Sequence, residues 1–266
     1  MPLLDKFRMD GQVAVITGAG KGIGAAIARA FAEVGSNVVI GARTEADLQA
    51  VAAEVSALGA KALVVPTDAL DFDQLQRLAD SAMAEFGRID ILVNNAGGSP
   101  PKPVSQTSSR EFEMALRFNV TTAFEMSRIC APLMVDSADG GNILNISSIA
   151  GHKPAPCFAA YGTAKGALSY LTRELAQEFA PRVRVNAIAV GSTRTDALNT
   201  VLTDEIEQTM VELTPMARLG EVEDIALGAL YLCSNAASYV TGDILCVNGG
   251  MERLNMQMPR AWGGSG

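Results

Sequence analysis

Proton transfer near neutral pH needs side chains whose charge changes readily, and the stretch SSIAGHKPAPCFAAYGTAK at residues 147–165 offers several. It carries Ser148, the chain's one histidine His152, Cys157, Tyr161 and Lys165. Tyr161 and Lys165 stand four apart at the start of a segment of helical period, so their side chains share one face, one turn from each other. A free phenol titrates near pH 10, and an adjacent ammonium favours its phenolate. Lowering that value by about three units takes roughly 4 kcal/mol, which a lysine and a second cation in a dry pocket would supply together. Tyr161 would then protonate a carbonyl oxygen or take the proton of a hydroxyl. Ser148, just past a strand end, would donate a hydrogen bond to the same oxygen. A hydrolase would use the stretch differently, with Ser148 as nucleophile and His152 as base. No G-x-S-x-G elbow surrounds Ser148 and no matched acid is identifiable from spacing, so His152 is expected as a loop residue lining the cleft. Cys157 is expected as a small apolar residue at the cleft mouth. Ser147 is expected to point away.

A second motif bears on electron transfer. TGAGKGIG, residues 17–24, follows an apolar β-rich run and opens a helical segment, the context a dinucleotide-binding turn requires. Gly18 suits a sharp exit from the strand, Gly22 a close approach of backbone to a pyrophosphate at the positive helix end, and Gly24 close helix–strand contact. The spacing is G-x-x-x-G-x-G, and a purely structural turn is the alternative reading. NAD-binding sheets commonly end their second strand with an acidic residue for the adenosine ribose. Here that strand ends IGART, with Ala42 at the carboxylate position and Arg43 after it. The charge that would repel a ribose 2′-phosphate is missing, one that would attract it is present, and Lys21 adds another. A single charge-assisted contact of roughly 1.5–3 kcal/mol would favour NADP(H) by about tenfold or more. The alternative for Arg43 and Lys21 is two solvated surface charges.

These residues need a frame, and the pattern of the chain describes one. Short apolar runs at 13–17, 37–40, 62–65, 89–93, 142–146, 183–188 and 244–247 alternate with longer stretches of helical period. The helices are expected near 22–34, 44–58, up to 86, between the fourth and fifth strands, and through 161–179. Continuous apolar strands separated by helices indicate an α/β fold, a doubly wound, seven-stranded parallel sheet of Rossmann type with helices on both faces. No Pro/Ser-rich linker, charge block or repeat divides the chain, so a single domain is expected, with a C-terminal tail at 251–266 whose Trp262 could dock on a neighbouring subunit or fray.

In this order the motifs resemble the short-chain dehydrogenase/reductase family over nearly the whole length: TGAGKGIG, Asp68 after the third strand, NNAG at 94–97, Asn119 in RFNVTT, Ser148, and YGTAK at 161–165. The resemblance implies Tyr161 as acid/base and Ser148 as orienter of the substrate oxygen. It implies Lys165 as ribose anchor and pKa-lowering cation beside a cationic nicotinamide, and Asn119 as support for a proton-relay water. Cofactor contacts are implied at Gly18, Lys21, Gly22, Ile23, Gly24 and Arg43. Further contacts are implied at Asp68, Ala69, Asn95, Ala96 and Gly97, at Tyr161 and Lys165, and at Ile188, Gly191, Thr193 and Thr195. One departure stands out: the family commonly has Pro-Gly after the sixth strand, whereas this chain has Val190-Gly191, which is expected to leave that backbone freer.

The formal net charge of −8 disfavours nonspecific attraction to nucleic acid or an anionic membrane surface. The four cysteines lie at wide spacings and there is one histidine, so reduced thiols and no metal are expected. Charges among the first residues argue against a secretory signal, and the longest uncharged run, 225–242, is broken by polar residues; a cytoplasmic protein is expected. Substrate choice should lie in 97–103, 150–160 and 191–216, the last rich in apolar residues and suited to a lid over a bulky hydrophobic alcohol or ketone. The motif order and the ending VTGDILCVNGG are similar to bacterial 7α-hydroxysteroid dehydrogenases and to 3-oxoacyl-carrier-protein reductases. A hydroxysteroid-type enzyme is the favoured expectation, because no Arg/Lys cluster beside the crevice suits a carrier protein. A cofactor-binding regulator without catalysis is the alternative from another class. The resemblance also implies a homotetramer.

Overall fold

Runs such as VAVIT and NVVI are rich in β-branched residues and apolar on both faces, so they pair only where helices cover both sides of the sheet. The structure, a computed structural model, describes residues 2–200 and 202–258. Trp262 and the end of the tail lie outside the described residues.

The elements follow in the order β1 (Val13–Thr17), α1 (Gly22–Glu33), β2 (Asn37–Ala42), α2 (Glu45–Ala57), β3 (Ala62–Pro66), α3 (Phe72–Phe86) and β4 (Ile91–Asn94). After β4 come α4 (Ser109–Leu116), a π-helical turn (Arg117–Thr121), α5 (Thr122–Ala138), β5 (Gly141–Ser148), α6 (Ala159–Phe179) and β6 (Val183–Val190). The chain continues through α7 (Asp196–Asn199), α8 (Asp204–Glu212), α9 (Val222–Cys233) and β7 (Ile244–Val247). Seven parallel strands form one sheet in the order β3-β2-β1-β4-β5-β6-β7. The order reverses between β1 and β4, and in such sheets the crevice for ligands opens at the C-terminal ends of those strands.

Alternation along each strand divides the core into two layers. Ala14, Ile16, Val38, Ile40, Leu144 and Ile188 face α1, α2 and α9, while Val13, Val15, Val39, Leu92, Ile143 and Val185 face α3, α5 and α6. Local chemistry sets the helix starts. Asp71 accepts from the Asp73 and Gln74 amides at the head of α3, and Ser108 and Glu111 form a reciprocal capping box on α4.

Two expectations shift. The fourth strand starts at Ile91 rather than 89, because the buried Asp90 carboxylate accepts the Val13 amide at 2.9 Å and is held by the Arg88 guanidinium. The long helix before β5 is interrupted by the π turn, which periodicity alone does not reveal. Among the described residues no helix is long and apolar enough to cross a membrane.

Asp90 sits at the end of the sheet remote from the crevice. Asp90→Ala orphans the Val13 amide and is expected to cost about 1–3 kcal/mol of stability in urea denaturation, with Michaelis constants unchanged.

Candidate active site

The turn after β1 is built around glycines that no other residue can replace without moving backbone. Gly18 and Gly22 have φ of 65° and 56°, and a Cβ on Gly24 would stand 2.5 Å from the Gly18 carbonyl oxygen. The NNAG segment braces this turn from β4. Asn95 Nδ2 donates to the Thr17 and Gly18 carbonyls at 3.0 and 2.9 Å, and the Asn95 and Ala96 amides each donate to Thr17 Oγ1 at 3.1 Å. Lys21, the residue preceding α1, provides no side-chain cap, so the first-turn N–H groups retain their capacity for an anion. The Ile23 side chain is partly buried against the core at the start of α1.

A cleft of about 360 Å³ runs from Gly18, Gly20 and Lys21 past Ala42, Arg43, Asp68 and Ala69 to Asn95, Ala96 and Gly97. This shape, with its glycine floor and uncapped helix, fits a dinucleotide. At the β2 end Arg43 is exposed on the wall, while Lys21 Nζ lies 3.3 Å from the Asp47 carboxylate. Asp68 Oδ1 accepts the Leu70 amide at 3.0 Å, which orients the carboxylate.

The segment after β6 forms the opposite wall only in part. A Cβ on Gly22 would lie 3.6 Å from Thr195 Cγ2, so Thr195 sits over the glycine turn. Thr193 is buried, and its hydroxyl donates to the Gly191 carbonyl at 3.3 Å. Ile188 is not brought to the cleft: it lies fully buried in mid-strand, in register with Ile146 on one side and Leu245 on the other. At Val190, where a freer backbone is expected, the strand continues. Lacking proline's ring, Val190 extends β6 in register with Ser148 and Val247, and the Gly191 amide then donates to the Val247 carbonyl at 2.9 Å.

Beside this cleft stand the proton-handling candidates. Ser148 ends β5, and its hydroxyl is hydrogen-bonded with the Tyr161 phenol. Lys165 Nζ lies 5.8 Å from the centre of the Tyr161 ring and donates to the Ile146 carbonyl at 2.7 Å. Burial pushes the Lys165 ammonium down to about 8. Burial also raises the Tyr161 phenol above its ordinary value, with the Ser148 hydrogen bond opposing that shift. The expected depression of the phenol, which takes Lys165 together with a second cation, is therefore not a property of the protein alone. In the protein alone, loss of water at the buried phenol outweighs the effect of its surroundings.

Asn119 lies in the π turn and is 1% exposed. Its Oδ1 accepts the Gly98 amide at 2.8 Å, and its Nδ2 donates to the Gly98 and Ala115 carbonyls at 3.0 and 2.8 Å. The side chain holds the loop after β4. A Cβ on Gly97 would stand 2.7 Å from Asn119 Oδ1 and 3.1 Å from Lys165 Nζ, so these three positions converge.

Beneath them lies a buried polar platform that sequence reasoning missed. Asn94 donates to Asn145 at 2.9 Å, and Asn145 donates to Thr172 Oγ1 at 2.9 Å. Ser147 does point away, into α6, with its hydroxyl donating to the Lys165 carbonyl at 3.0 Å and paired with Ser169 Oγ at 2.8 Å. His152 corrects its expectation. It bonds Ser169 Oγ at 3.1 Å, behind the site, and lines neither of the substrate-side cavities described next.

Tyr161 opens into a cavity of about 840 Å³ lined by residues 98–101, by Leu198, Ile206 and Met210 of the segment after β6, and by Met256 and Met258. A smaller lobe of about 370 Å³ across the 98–100 loop holds Cys157, Ala160, Met114 and Phe118. The segments 97–103 and 191–216 thus meet at the phenol, and Cys157 lies where expected. Met256 and Met258 carry no motif that would have marked them.

A family model described as enoyl-(acyl carrier protein) reductase matches residues 18–252. An uncharacterized oxidoreductase of Mycobacterium tuberculosis is 46% identical over 258 residues, 97% of this chain and 98% of its own. The 7alpha-hydroxysteroid dehydrogenase of Escherichia coli K12 is 43% identical over 253 residues, 94% of this chain and 98% of its own. A solved 7 alpha-hydroxysteroid dehydrogenase complexed with NADH and 7-oxo glycochenodeoxycholic acid is similar at a TM-score of 0.90 and 43% identity, covering 93% of this chain and 96% of that one.

Lys165 binds its proton less tightly folded than unfolded, about 8 against 10.5. Between those values the unfolded chain holds more protons, so this group makes stability rise with pH across that window. Thermal melts of the cofactor-free protein are expected to show this rise above pH 8 relative to Lys165→Met, which has no such proton to bind.

Proposed function

The chain belongs to the short-chain dehydrogenase/reductase family, and from that premise we propose that it interconverts a secondary alcohol and a ketone on a bulky hydrophobic molecule with NADP(H), hydroxysteroids being the favoured class. The observation that carries the reading is the Tyr161 phenol, bonded to Ser148 and opening into a large cavity walled by Leu, Ile and Met side chains. A cofactor-binding regulator would need no proton donor at that mouth.

When bound, the nicotinamide cofactor supplies or accepts the hydride at the substrate carbon. Gly18, Gly22 and the first-turn amides of α1 would receive the pyrophosphate, with Asp68 and Asn95 toward the adenine side and the cleft floor. Lys165 would anchor the nicotinamide ribose. In ketone reduction the neutral phenol donates its proton to the carbonyl oxygen, and Ser148 donates a hydrogen bond that fixes that oxygen. The raised phenol of the protein alone is already in the acid form this direction needs. Alcohol oxidation needs the phenolate, so its rate rises with pH while reduction falls.

The preference for NADP(H) rests on this chain's own residues, since the similar solved enzyme is named as a complex with NADH. Ala42 leaves room at the end of β2, and exposed Arg43 on the cleft wall suits a 2′-phosphate. Self-association into a tetramer is supported by exposed Tyr170 on α6, Leu227 on α9 and Tyr239 before β7.

Steady-state kinetics on a panel of steroid ketones, small ketones and 3-oxoacyl thioesters test the reading. Steroid ketones are expected to be reduced, 3-oxoacyl thioesters are not, and Tyr161→Phe is expected to bind NADPH yet lose turnover by at least about a thousandfold. Arg43→Ala is expected to lower kcat/KM with NADPH about tenfold and leave NADH within about twofold. Equal use of both cofactors by the parent protein would refute the cofactor choice.

A further inference from the structure

The cavity at Tyr161 has one wall, residues 255–258, that lies beyond the last strand and belongs to no helix or strand. Such a segment has no ladder to hold it, so something else must fix Met256 and Met258 where they line the cavity. Asn255 is 1% exposed. Its Nδ2 donates to the Met210 carbonyl at 3.0 Å and to Thr214 Oγ1 at 2.9 Å, and its Oδ1 accepts the Ser192 hydroxyl. Thr214 Oγ1 in turn donates to the same Met210 carbonyl at 2.7 Å. One amide, with both N–H groups and its oxygen engaged, joins the turn after β6, the end of α8 and the C-terminal segment. A buried amide is costly unless bonded, and one satisfied this fully selects a single arrangement of its partners.

We infer that Asn255 is a positioning residue for the substrate: it holds α8 and residues 255–258 as one body and so sets the width of the apolar cavity. The inference rests on the ketone-reducing reading above and deepens it. A bulky, rigid polycyclic ketone needs that wall in place, whereas a small ketone needs only Tyr161 and Ser148. Asn255 lines the large cavity but neither the dinucleotide cleft nor the smaller lobe.

The test is NADPH-dependent reduction of a polycyclic and a small cyclic ketone by the parent protein, Asn255→Ala and Asn255→Asp, with NADPH affinity read by fluorescence. In Asn255→Ala the polycyclic KM is expected to rise about tenfold with kcat held within about threefold, while small-ketone kcat/KM and NADPH affinity stay within about twofold. Asn255→Asp keeps an acceptor for Ser192 but sets an oxygen against the Met210 carbonyl, so it should follow the alanine variant rather than rescue it. Should either variant fail to fold, Thr214→Val removes one partner of the same amide and is expected to give a smaller rise in KM confined to the polycyclic ketone. Equal losses on both ketones, or no change on either, overturn the inference. A parent protein that reduces neither ketone overturns the functional reading, and this inference with it.

Discussion

A positive charge held in a dry place is the constraint on which the site depends. Lys165 is 4% exposed, and among the described residues its ammonium donates to the Ile146 carbonyl at 2.7 Å. Burying an ammonium with so little compensation is unfavourable, and burial accordingly pushes its titration down to about 8. That dry state persists only if the surroundings cannot relax to let water in. Nearby residues are accordingly locked: the glycine at position 97 leaves room for Nζ, Asn119 pins the adjoining loop through Gly98, and the Ser147–Ser169 pair grips the Lys165 carbonyl from behind.

The same logic explains why polar residues run so deep under this region. Asn94, Asn145 and Thr172 are all buried and link β4, β5 and α6 by side-chain hydrogen bonds. An apolar layer there would pack as well, but it would not fix the register of two strand ends against the helix that carries Tyr161 and Lys165. Satisfied polar networks favour one arrangement over its near neighbours, and the proton transfer proposed for Tyr161 requires the phenol to meet a substrate oxygen at hydrogen-bond distance. His152 belongs to the outer edge of this support, which is why it stands behind the cleft and not in it.

How legible the site was in the sequence differs sharply between its two halves. The glycine turn and the Tyr161–Lys165 pair could be read because backbone geometry leaves few options: Gly18 and Gly22 need left-handed φ, Gly24 admits no Cβ, and Tyr161 with Lys165 must share a helix face. Strand positions were readable for the related reason that both-face burial demands continuous apolar runs. Failures came where tertiary context decides. Ile188 was assigned to the cleft, yet β6 runs two residues further because Val190 continues the strand. Nor does periodicity mark the π turn, though it carries the buried Asn119. Spacing placed Lys165 beside the phenol, but the burial that makes charging either group costly comes from tertiary packing.

The substrate side was nearly silent for a different physical reason. Its walls come from residues 98–101, Leu198, Ile206, Met210, Met256 and Met258, gathered from distant parts of the chain with no common spacing. Apolar contact has little directional demand, so many side chains can serve and no motif is required. Methionines make this plainer, since their unbranched, polarizable side chains conform to varied shapes. What such a wall lacks in intrinsic order must come from its attachment, and here the attachment is polar, buried and specific at Asn255. The division is therefore one of chemistry: a dinucleotide with fixed charges would select backbone and glycine, while the hydrophobic substrate proposed above would select volume, and on the inference from Asn255 that volume is set by whatever holds the last residues of the described chain in place.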